Sequence, residues 1–451
     1  MFDASITYGI LGLARSGMAA AFKIKELGGK AFLSDLKPRN LVPEADELEA
    51  VFDCEFGGHT ERLLQCPVWI ISPGIPLTAS IVQKGYAEGI QIISEIEFGY
   101  QIKAKDSKII AVTGSNGKST TASLIHHILK GMGYKSILAG NIGAAFCSYP
   151  IHRPGIDYIV LEVSSFQLDT IHSFHPDVAV LLNITQDHLD RYPSFQAYAS
   201  SKLGIFQYQT ARDVAIISLD CPMIVDNKAD IKAHLLAFSL DPQDKPVDAW
   251  KSDQYIYLGT KHRLFIEDLQ IKGPHNHANT MAALLSVQAL GLDMDAAIKQ
   301  ASSFKSLAHR LEYVATINRV SFYNDSKATN TDSVKSALVS FGKPVRVIMG
   351  GSDKGEDFGV LTDMLGKWAQ KVYLTGDTKA KMQEAWEGWL PTIAIDDFET
   401  AIRTAFAEAQ RGDIVLLSPA CASFDRFRNF EERGEYFKEI VTRMAKENEK
   451  K

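Results

Sequence analysis

The sequence predicts an α/β protein of three domains built on mostly parallel sheets. Two observations carry this expectation. Short apolar runs alternate with longer amphipathic stretches, the pattern of repeated βαβ units. At 451 residues the chain also exceeds one ordinary core, and a prior of roughly 150 residues per domain gives about three. The expected boundaries are 1–97, 98–305 and 306–451.

In the first block "ITYGILGL" reads as a strand, "SGMAAAFKIKELG" as a helix ending at glycine, "KAFLSD" as a second strand and "PVWIISPG" as a later one. The polar stretch "YQIKAKDSK" before Ile109 predicts a linker. The second block opens with the strand "KIIAVTG" and the helix "KSTTASLIHHILKGMG". It continues through the buried strands "DYIVLEVSS" and "DVAVLLN", each ending in polar residues. Residues 210–275 loosen into short β-rich pieces such as "QYIYLG" and "HRLFIED", followed by the helix "NTMAALLSVQALGL". The third block starts near Ser306, with strands at "VSFYNDS", "PVRVIMGG", "KVYLTG" and "DIVLLSP", and the closing "KENEKK" predicts a frayed tail. In open α/β sheets ligands sit at the carboxyl ends of the strands, where nearly all the polar clusters fall.

Composition narrows the function classes. With 46% hydrophobic and 23% charged residues and a formal charge of -6, the chain lacks the basic excess of a nucleic-acid-binding surface. Its five cysteines are scattered and never in a CxxC spacing, as expected of a reduced compartment without a disulfide framework or zinc site. The N-terminus has no basic n-region and no long apolar span occurs, so a cytoplasmic protein without a membrane span is expected.

In "TGSNGKST" only Ser115 and Asn116 separate Gly114 from Gly117, whereas the common nucleotide loop has four residues before its Gly-Lys pair. Strand, glycine turn and helix still direct backbone N–H groups and the helix's positive end at one place, which is an anion site. Lys118 is placed to reach terminal phosphates, and Ser119 or Thr120 to offer a hydroxyl to magnesium. The bland alternative is a glycine turn with an exposed lysine. Glu162 sits in an otherwise apolar strand, where an uncompensated charge is costly; it is a candidate metal ligand or the partner of a lysine. The next strand ends in "LNITQDHLDRY", putting Asn183, Asp187, His188, Asp190 and Arg191 beside it. Spacing alone leaves His188 either a ligand or a structural histidine. "GILGLARSG" gives a G-x-A-x-x-G of Gly12, Ala14 and Gly17, and Asp35 closes the following strand. That pairing fits a nicotinamide site or a simple packing turn.

The residues "TGSNGKST", "GNIG", "LEVSSFQL", "NITQDHLDRY", "HNHAN", "AHRLE", "NDSKATN" and "LLSPACASFDRFRNFEERG" occur in one order on one chain. Together they closely resemble the Mur ligases over almost the whole length. The resemblance implies a Rossmann-like N-terminal domain, a central P-loop-type ATPase domain with a mostly parallel sheet and a Rossmann-like C-terminal domain, together an ATP-dependent amide ligase of cell-wall precursor synthesis, and within the family the member that adds D-glutamate to UDP-N-acetylmuramoyl-L-alanine. ATP would phosphorylate the substrate carboxylate, and the amine of D-glutamate would attack the acyl phosphate through a tetrahedral intermediate. Such an intermediate needs shielding from water. The resemblance also implies a monomer and magnesium at two sites, with manganese as an alternative.

By the same resemblance Gly114, Ser115, Asn116, Gly117, Lys118, Ser119 and Thr120 hold the ATP phosphates. Ser119 and Glu162 are ligands of one magnesium, and His188 is a ligand of the second. Lys202 matches a lysine that the family carries as a carbamate, an anion able to serve the second metal; read without the family, it is a solvated helix lysine. Asn276, Asn279 and His309 match positions around the adenine, and Arg310, Asp325 and Lys327 groups that the C-terminal domain brings to the nucleotide. Arg15, Ser16, Asp35, Leu36 and Lys37 match the uracil and ribose end of the UDP-sugar site, and Ser72 and Asn141 its diphosphate and muramoyl neighbourhood. Thr329, Lys354 and Ser423, with the backbone at Phe424 and Phe430, match the D-glutamate pocket. "GGSDKGEDF" around Lys354 departs locally from the family's Gly-Gly-Asp pattern.

Overall fold

The computed structural model describes residues 2–42, 44–187, 191–243, 246–353 and 355–449. The apolar runs form β1 (Thr7–Leu11), β2 (Lys30–Asp35), β3 (Asp53–Phe56), β4 (Val68–Ile71) and β5 (Gln91–Ser94). These make one parallel sheet in the order β3-β2-β1-β4-β5. Winding reverses between β1 and β4, so the carboxyl ends of these two strands border the switch-point crevice.

The second sheet contains β6 (Lys108–Thr113), β7 (Ser136–Gly140), β8 (Tyr158–Glu162), β9 (Val178–Leu181), β10 (Val214–Ser218), β11 (His234–Ser239), β12 (Ala249–Ser252), β13 (Tyr255–Leu258) and β14 (His262–Phe265). Its order is β14-β13-β12-β11-β10-β9-β6-β8-β7. Strands β6 to β12 pair in parallel, and β12, β13 and β14 form an antiparallel edge ribbon. The aliphatic runs of β6, β8 and β9 are buried on both faces, as strands of a covered parallel sheet must be.

The third sheet comprises β15 (Glu312–Ile317), β16 (Val320–Asn324), β17 (Val345–Met349), β18 (Ala369–Leu374), β19 (Thr392–Ala394) and β20 (Ile414–Leu417). Its order is β15-β16-β20-β17-β18-β19, parallel except for the β15-β16 hairpin. Two compact units result: Met1–Ile266 with Ala278–Ser302, and Glu267–His277 with Ser303–Lys451.

Two local expectations change. The expected linker begins as helix, because Tyr100–Ile102 end the helix Glu95–Ile102 and the Tyr100 ring packs edge-on against Phe174 at 5.8 Å. The expected frayed tail is helical to Glu449, as part of Phe430–Glu449. Arg403 donates to Glu447 at 2.9 Å and Asn448 caps the Met444 carbonyl at 2.9 Å, so the last turn has partners.

Candidate active site

The phosphate loop leaves β6 at Thr113. Gly114 has φ +150° and Gly117 φ +86°, and the helix Lys118–Gly131 begins directly after the left-handed Gly117. The two residues between the glycines are fastened to the end of β9. The Ser115 N–H donates to the Asn183 carbonyl at 3.0 Å. Its hydroxyl accepts from Thr185 N–H at 3.0 Å and donates to the Thr185 carbonyl at 3.1 Å. Asn116 N–H donates to Asn183 Oδ1 at 2.9 Å, and Asn183 Nδ2 returns a bond to the Asn116 carbonyl at 3.1 Å. A loop two residues shorter than usual is thereby held by its neighbouring strand.

Asn279, on the helix Pro274–Ala289, reaches the same loop: a Cβ at Gly117 would lie 2.4 Å from Asn279 Oδ1. Because the positive φ adds strain to that clash, Gly117→Ala is expected to lose about 1–3 kcal/mol of stability and most nucleotide affinity. Thermal unfolding with and without a non-hydrolysable ATP analogue measures both effects.

Two lysines converge on the loop. Lys118 Nζ donates to the carbonyls of Gly114 and Ser115, both at 2.7 Å, and Lys202 Nζ donates to the Gly114 carbonyl at 2.8 Å. Lys202, on the helix Phe195–Leu203, is 2% exposed. Burial, then repulsion from Lys118, holds its pKa well below the usual lysine range, although Asp187, Glu162 and Asp169 oppose the shift. One helical turn earlier Tyr198 lies with its ring centre 4.7 Å from Lys202 Nζ and its hydroxyl 3.0 Å from that of Ser115. Tyr198 was not singled out from the sequence, though its four-residue spacing from Lys202 places both on one helix face.

Glu162 ends β8 fully buried, and its Oε1 accepts from Asn141 Nδ2 at 2.8 Å. Ser119 and Thr120 are buried in the first turn of the phosphate-loop helix. A cavity of about 250 Å³ joins these elements, bounded by Lys118, Asn141, Ser164, Phe166, Tyr198, Lys202 and the Pro73–Gly74 turn beyond β4. Arg191 forms another wall: its guanidinium lies 4.4 Å from the Phe166 ring centre and donates to the carbonyls of Gly74 at 3.0 Å and Pro73 at 3.3 Å. The Ser119 hydroxyl and Glu162 carboxylate are hard oxygen donors, which fits magnesium that keeps phosphate oxygens and waters as its other ligands. His188 lies outside the described residues.

At the first sheet's switch point the Ser72 hydroxyl donates to the Gly12 carbonyl at 2.8 Å. Asp35 accepts from Leu13 N–H at 2.7 Å and Lys37 N–H at 2.8 Å, so its carboxylate shapes the glycine turn itself. A Cβ on Gly17 would lie 2.1 Å from the Gly12 carbonyl oxygen, which makes this glycine a packing requirement. Around the turn, Arg15 donates to the Gly143 carbonyl at 2.5 Å and Ser16 is half-buried. Leu36 is 71% exposed, with Lys37 exposed beside it.

The second unit carries the remaining expected residues. Asn276 Nδ2 donates to the Lys272 carbonyl at 2.8 Å. His309 adopts φ +62°, with Nδ1 3.0 Å from Asn324 Nδ2, and burial lowers its pKa. Arg310 follows it, half-buried, with its N–H on the Leu307 carbonyl at 3.2 Å. Lys327 N–H donates to the His309 carbonyl at 3.1 Å, and its Nζ lies 5.1 Å from the Phe430 ring centre. Thr329 N–H donates to the Lys327 carbonyl at 2.9 Å. Ser423 is buried, Phe424 is 72% exposed, and the Phe430 carbonyl accepts from the Ser326 hydroxyl at 2.8 Å. Lys354 lies outside the described residues.

Sequence reasoning missed Arg433. Its buried guanidinium donates to Ser326 Oγ at 2.9 Å and to the carbonyls of Ser326 at 2.8 Å, Cys421 at 3.0 Å and Ala422 at 3.1 Å. It therefore fixes the turn that presents Ser423. The only signal was its place in "NFEERG", where it reads as one more surface charge.

Asp325 is buried after β16, accepting from the Ser418 hydroxyl at 3.0 Å and Leu311 N–H at 3.2 Å. Burial pushes its pKa up to about 7, against the pull of those bonds and of Arg310. The stability contributed by the neutral carboxyl is complete below about pH 4 and is lost as pH rises through 7. Asp325→Asn is accordingly expected to gain stability across that window, reaching on the order of 2 kcal/mol at pH 8. Thermal unfolding of both proteins at pH 4 and pH 8 measures the difference.

The family description "Mur ligase middle domain" matches residues 112–287, and "Mur ligase, glutamate ligase domain" matches residues 309–421. The chain is 38% identical over 449 residues to a UDP-N-acetylmuramoylalanine--D-glutamate ligase of Koribacter versatilis, covering 98% of both chains. It is 40% identical over 445 residues to the enzyme of that name from Cytophaga hutchinsonii, covering 97% of this chain and 98% of the relative. In fold it is similar to the MurF ligase of Thermotoga maritima in complex with ADP, with a TM-score of 0.64 at 17% identity over 99% of this chain and 100% of the other. A pseudomurein peptide ligase type C from Methanothermus fervidus gives a TM-score of 0.63 at 18% identity, covering 97% and 100%. Two matched family domains and near-full-length relatives place the chain in the Mur ligase family.

Proposed function

We propose that the protein is an ATP-dependent ligase that joins D-glutamate to the alanyl carboxylate of UDP-N-acetylmuramoyl-L-alanine in cytoplasmic peptidoglycan precursor synthesis, and through it serves cell shape and division. The observation that carries this reading is the cavity in which Lys118 of the phosphate loop, Asn141 and the buried Lys202 meet, with Glu162 bonded to Asn141 behind it. A triphosphate on the loop and a carboxylate within that small space are reactants held at close range, the condition for an efficient in-line attack.

A carboxylate oxygen attacks the γ-phosphorus and the bond to ADP breaks, leaving an acyl phosphate. The D-glutamate amine then attacks the carbonyl carbon, loses a proton, and the tetrahedral intermediate expels phosphate. Lys118 exchanges its loop carbonyls for phosphate oxygens, and the loop N–H groups receive the remaining charge. Lys202, whose pKa burial lowers, is an amine suited to adding carbon dioxide; as a carbamate it would end its repulsion with Lys118. Magnesium, with manganese as an alternative, neutralises phosphate charge when bound; Ser119, Glu162, His188 and carbamylated Lys202 would hold it at two sites.

Residues 1–97 would take the UDP-sugar, with exposed Leu36 as an apolar platform beside Arg15, Ser16, Asp35, Lys37 and Ser72. Residues 98–305 would take ATP, with Asn279 on the loop, and residues 306–451 the amino acid. Asn276, His309, Arg310, Asp325 and Lys327 would serve the nucleotide. Thr329, Lys354, Ser423, Phe424 and Phe430 would serve D-glutamate. No described helix is long and apolar enough to cross a membrane, and a monomer suffices for this chemistry.

The test is ATP-dependent phosphate release with UDP-N-acetylmuramoyl-L-alanine and a panel of amino acids. D-Glutamate alone is expected to support it. Release with L-glutamate but not D-glutamate would contradict the assignment.

A further inference from the structure

The loop's two missing residues raise a physical question. A nucleotide loop works because its N–H groups are held pointing at phosphate, yet with two residues between the glycines this loop has little backbone of its own to hold that shape. The structure assigns that task to Asn183, just beyond β9: we propose that its carboxamide is a positioning residue for ATP, standing in for the absent loop residues.

The geometry is that of one more rung of sheet, made by a side chain. Asn183 Oδ1 accepts from Asn116 N–H at 2.9 Å and Nδ2 donates to the Asn116 carbonyl at 3.1 Å. The main chain continues the same ladder, with Leu182 N–H on the Thr113 carbonyl at 3.1 Å and Ser115 N–H on the Asn183 carbonyl at 3.0 Å. The N–H and the carbonyl of Asn116 are thus both fixed, which sets the planes of the peptides on either side of it, including the one leading into Gly117 and the start of the helix. A carboxamide accepts and donates through two separate atoms, so it can take the N–H and the carbonyl of one residue together. Aspartate offers two acceptors and places a negative charge against a carbonyl and beside the phosphate site, and leucine offers neither bond. Asn183 touches the loop and not the reacting atoms, so its effect falls on nucleotide affinity.

This inference rests on the reading of the loop as the ATP site. Its test uses the full-length enzyme with two variants, Asn183→Asp and Asn183→Leu, and Lys118→Ala as the reference for that reading. Calorimetric titration with magnesium and AMPPNP, a non-hydrolysable ATP analogue, is expected to show about tenfold or greater loss of affinity in both Asn183 variants. The KM for ATP should rise in parallel. Affinity for UDP-N-acetylmuramoyl-L-alanine should stay within about twofold, a split that general unfolding would not produce. Wild-type AMPPNP affinity in Asn183→Asp overturns the proposal, as does equal loss of both ligands in the two variants. If Lys118→Ala also binds AMPPNP normally, the loop reading fails; if it alone loses binding, only the role of Asn183 fails.

Discussion

Lys118→Ala is expected to lower the ligation rate by about 10²–10³-fold, the usual effect of removing one preorganised cationic or hydrogen-bond donor from developing charge. Its Nζ donates to two carbonyls of its own loop, those of Gly114 and Ser115, and its side chain is half-buried. Thermal stability should therefore change little, by less than about 1 kcal/mol. Steady-state phosphate release and thermal unfolding of the same preparation separate the two effects. A near-normal rate in this variant would show that the loop is not the phosphate site.

Lys202→Ala is expected to have a loss of similar size, about 10²–10³-fold, for a different reason. An amine that is 2% exposed, with its pKa lowered by burial and by Lys118 against the pull of Asp187, Glu162 and Asp169, gives up its proton more readily than an ordinary lysine, and the neutral amine is the form that adds carbon dioxide. Wild-type enzyme stripped of carbon dioxide should lose activity and regain it with bicarbonate, while Lys202→Ala should respond to neither treatment. Since the lysine pKa is depressed, the regain should persist toward neutral pH, where an ordinary lysine would stay protonated. Bicarbonate-independent activity in the wild type would remove the carbamate from the account.

The phosphate loop was legible because glycine, lysine and hydroxyl residues at fixed spacing between a strand and a helix have one strong physical use, and the strand starts at β6, β8 and β9 were legible from their aliphatic runs. What escaped were interactions set by distance in space. Lys202 looks like a solvated helix lysine until the fold closes over it. Asn183 stood next to conspicuous Asp187 and His188, and its bond to Asn116 crosses 67 residues. Arg433 reads as a surface charge, yet four hydrogen bonds bury it under the Ser423 turn. Asp35 was singled out at the end of its strand, but that its two oxygens are engaged by the N–H groups of Leu13, in the glycine turn 22 residues earlier, and of Lys37 could not be read along the chain. The polar tail was expected to fray because ion pairing with Arg403 on another helix is invisible along the chain.

The central claim, that this cavity activates a carboxylate by phosphorylation, is tested most directly by oxygen transfer. UDP-N-acetylmuramoyl-L-alanine labelled with ¹⁸O in both carboxylate oxygens, turned over with ATP and D-glutamate, should deliver one labelled oxygen to each inorganic phosphate and keep the other in the amide. Unlabelled phosphate released alongside the amide would contradict the account.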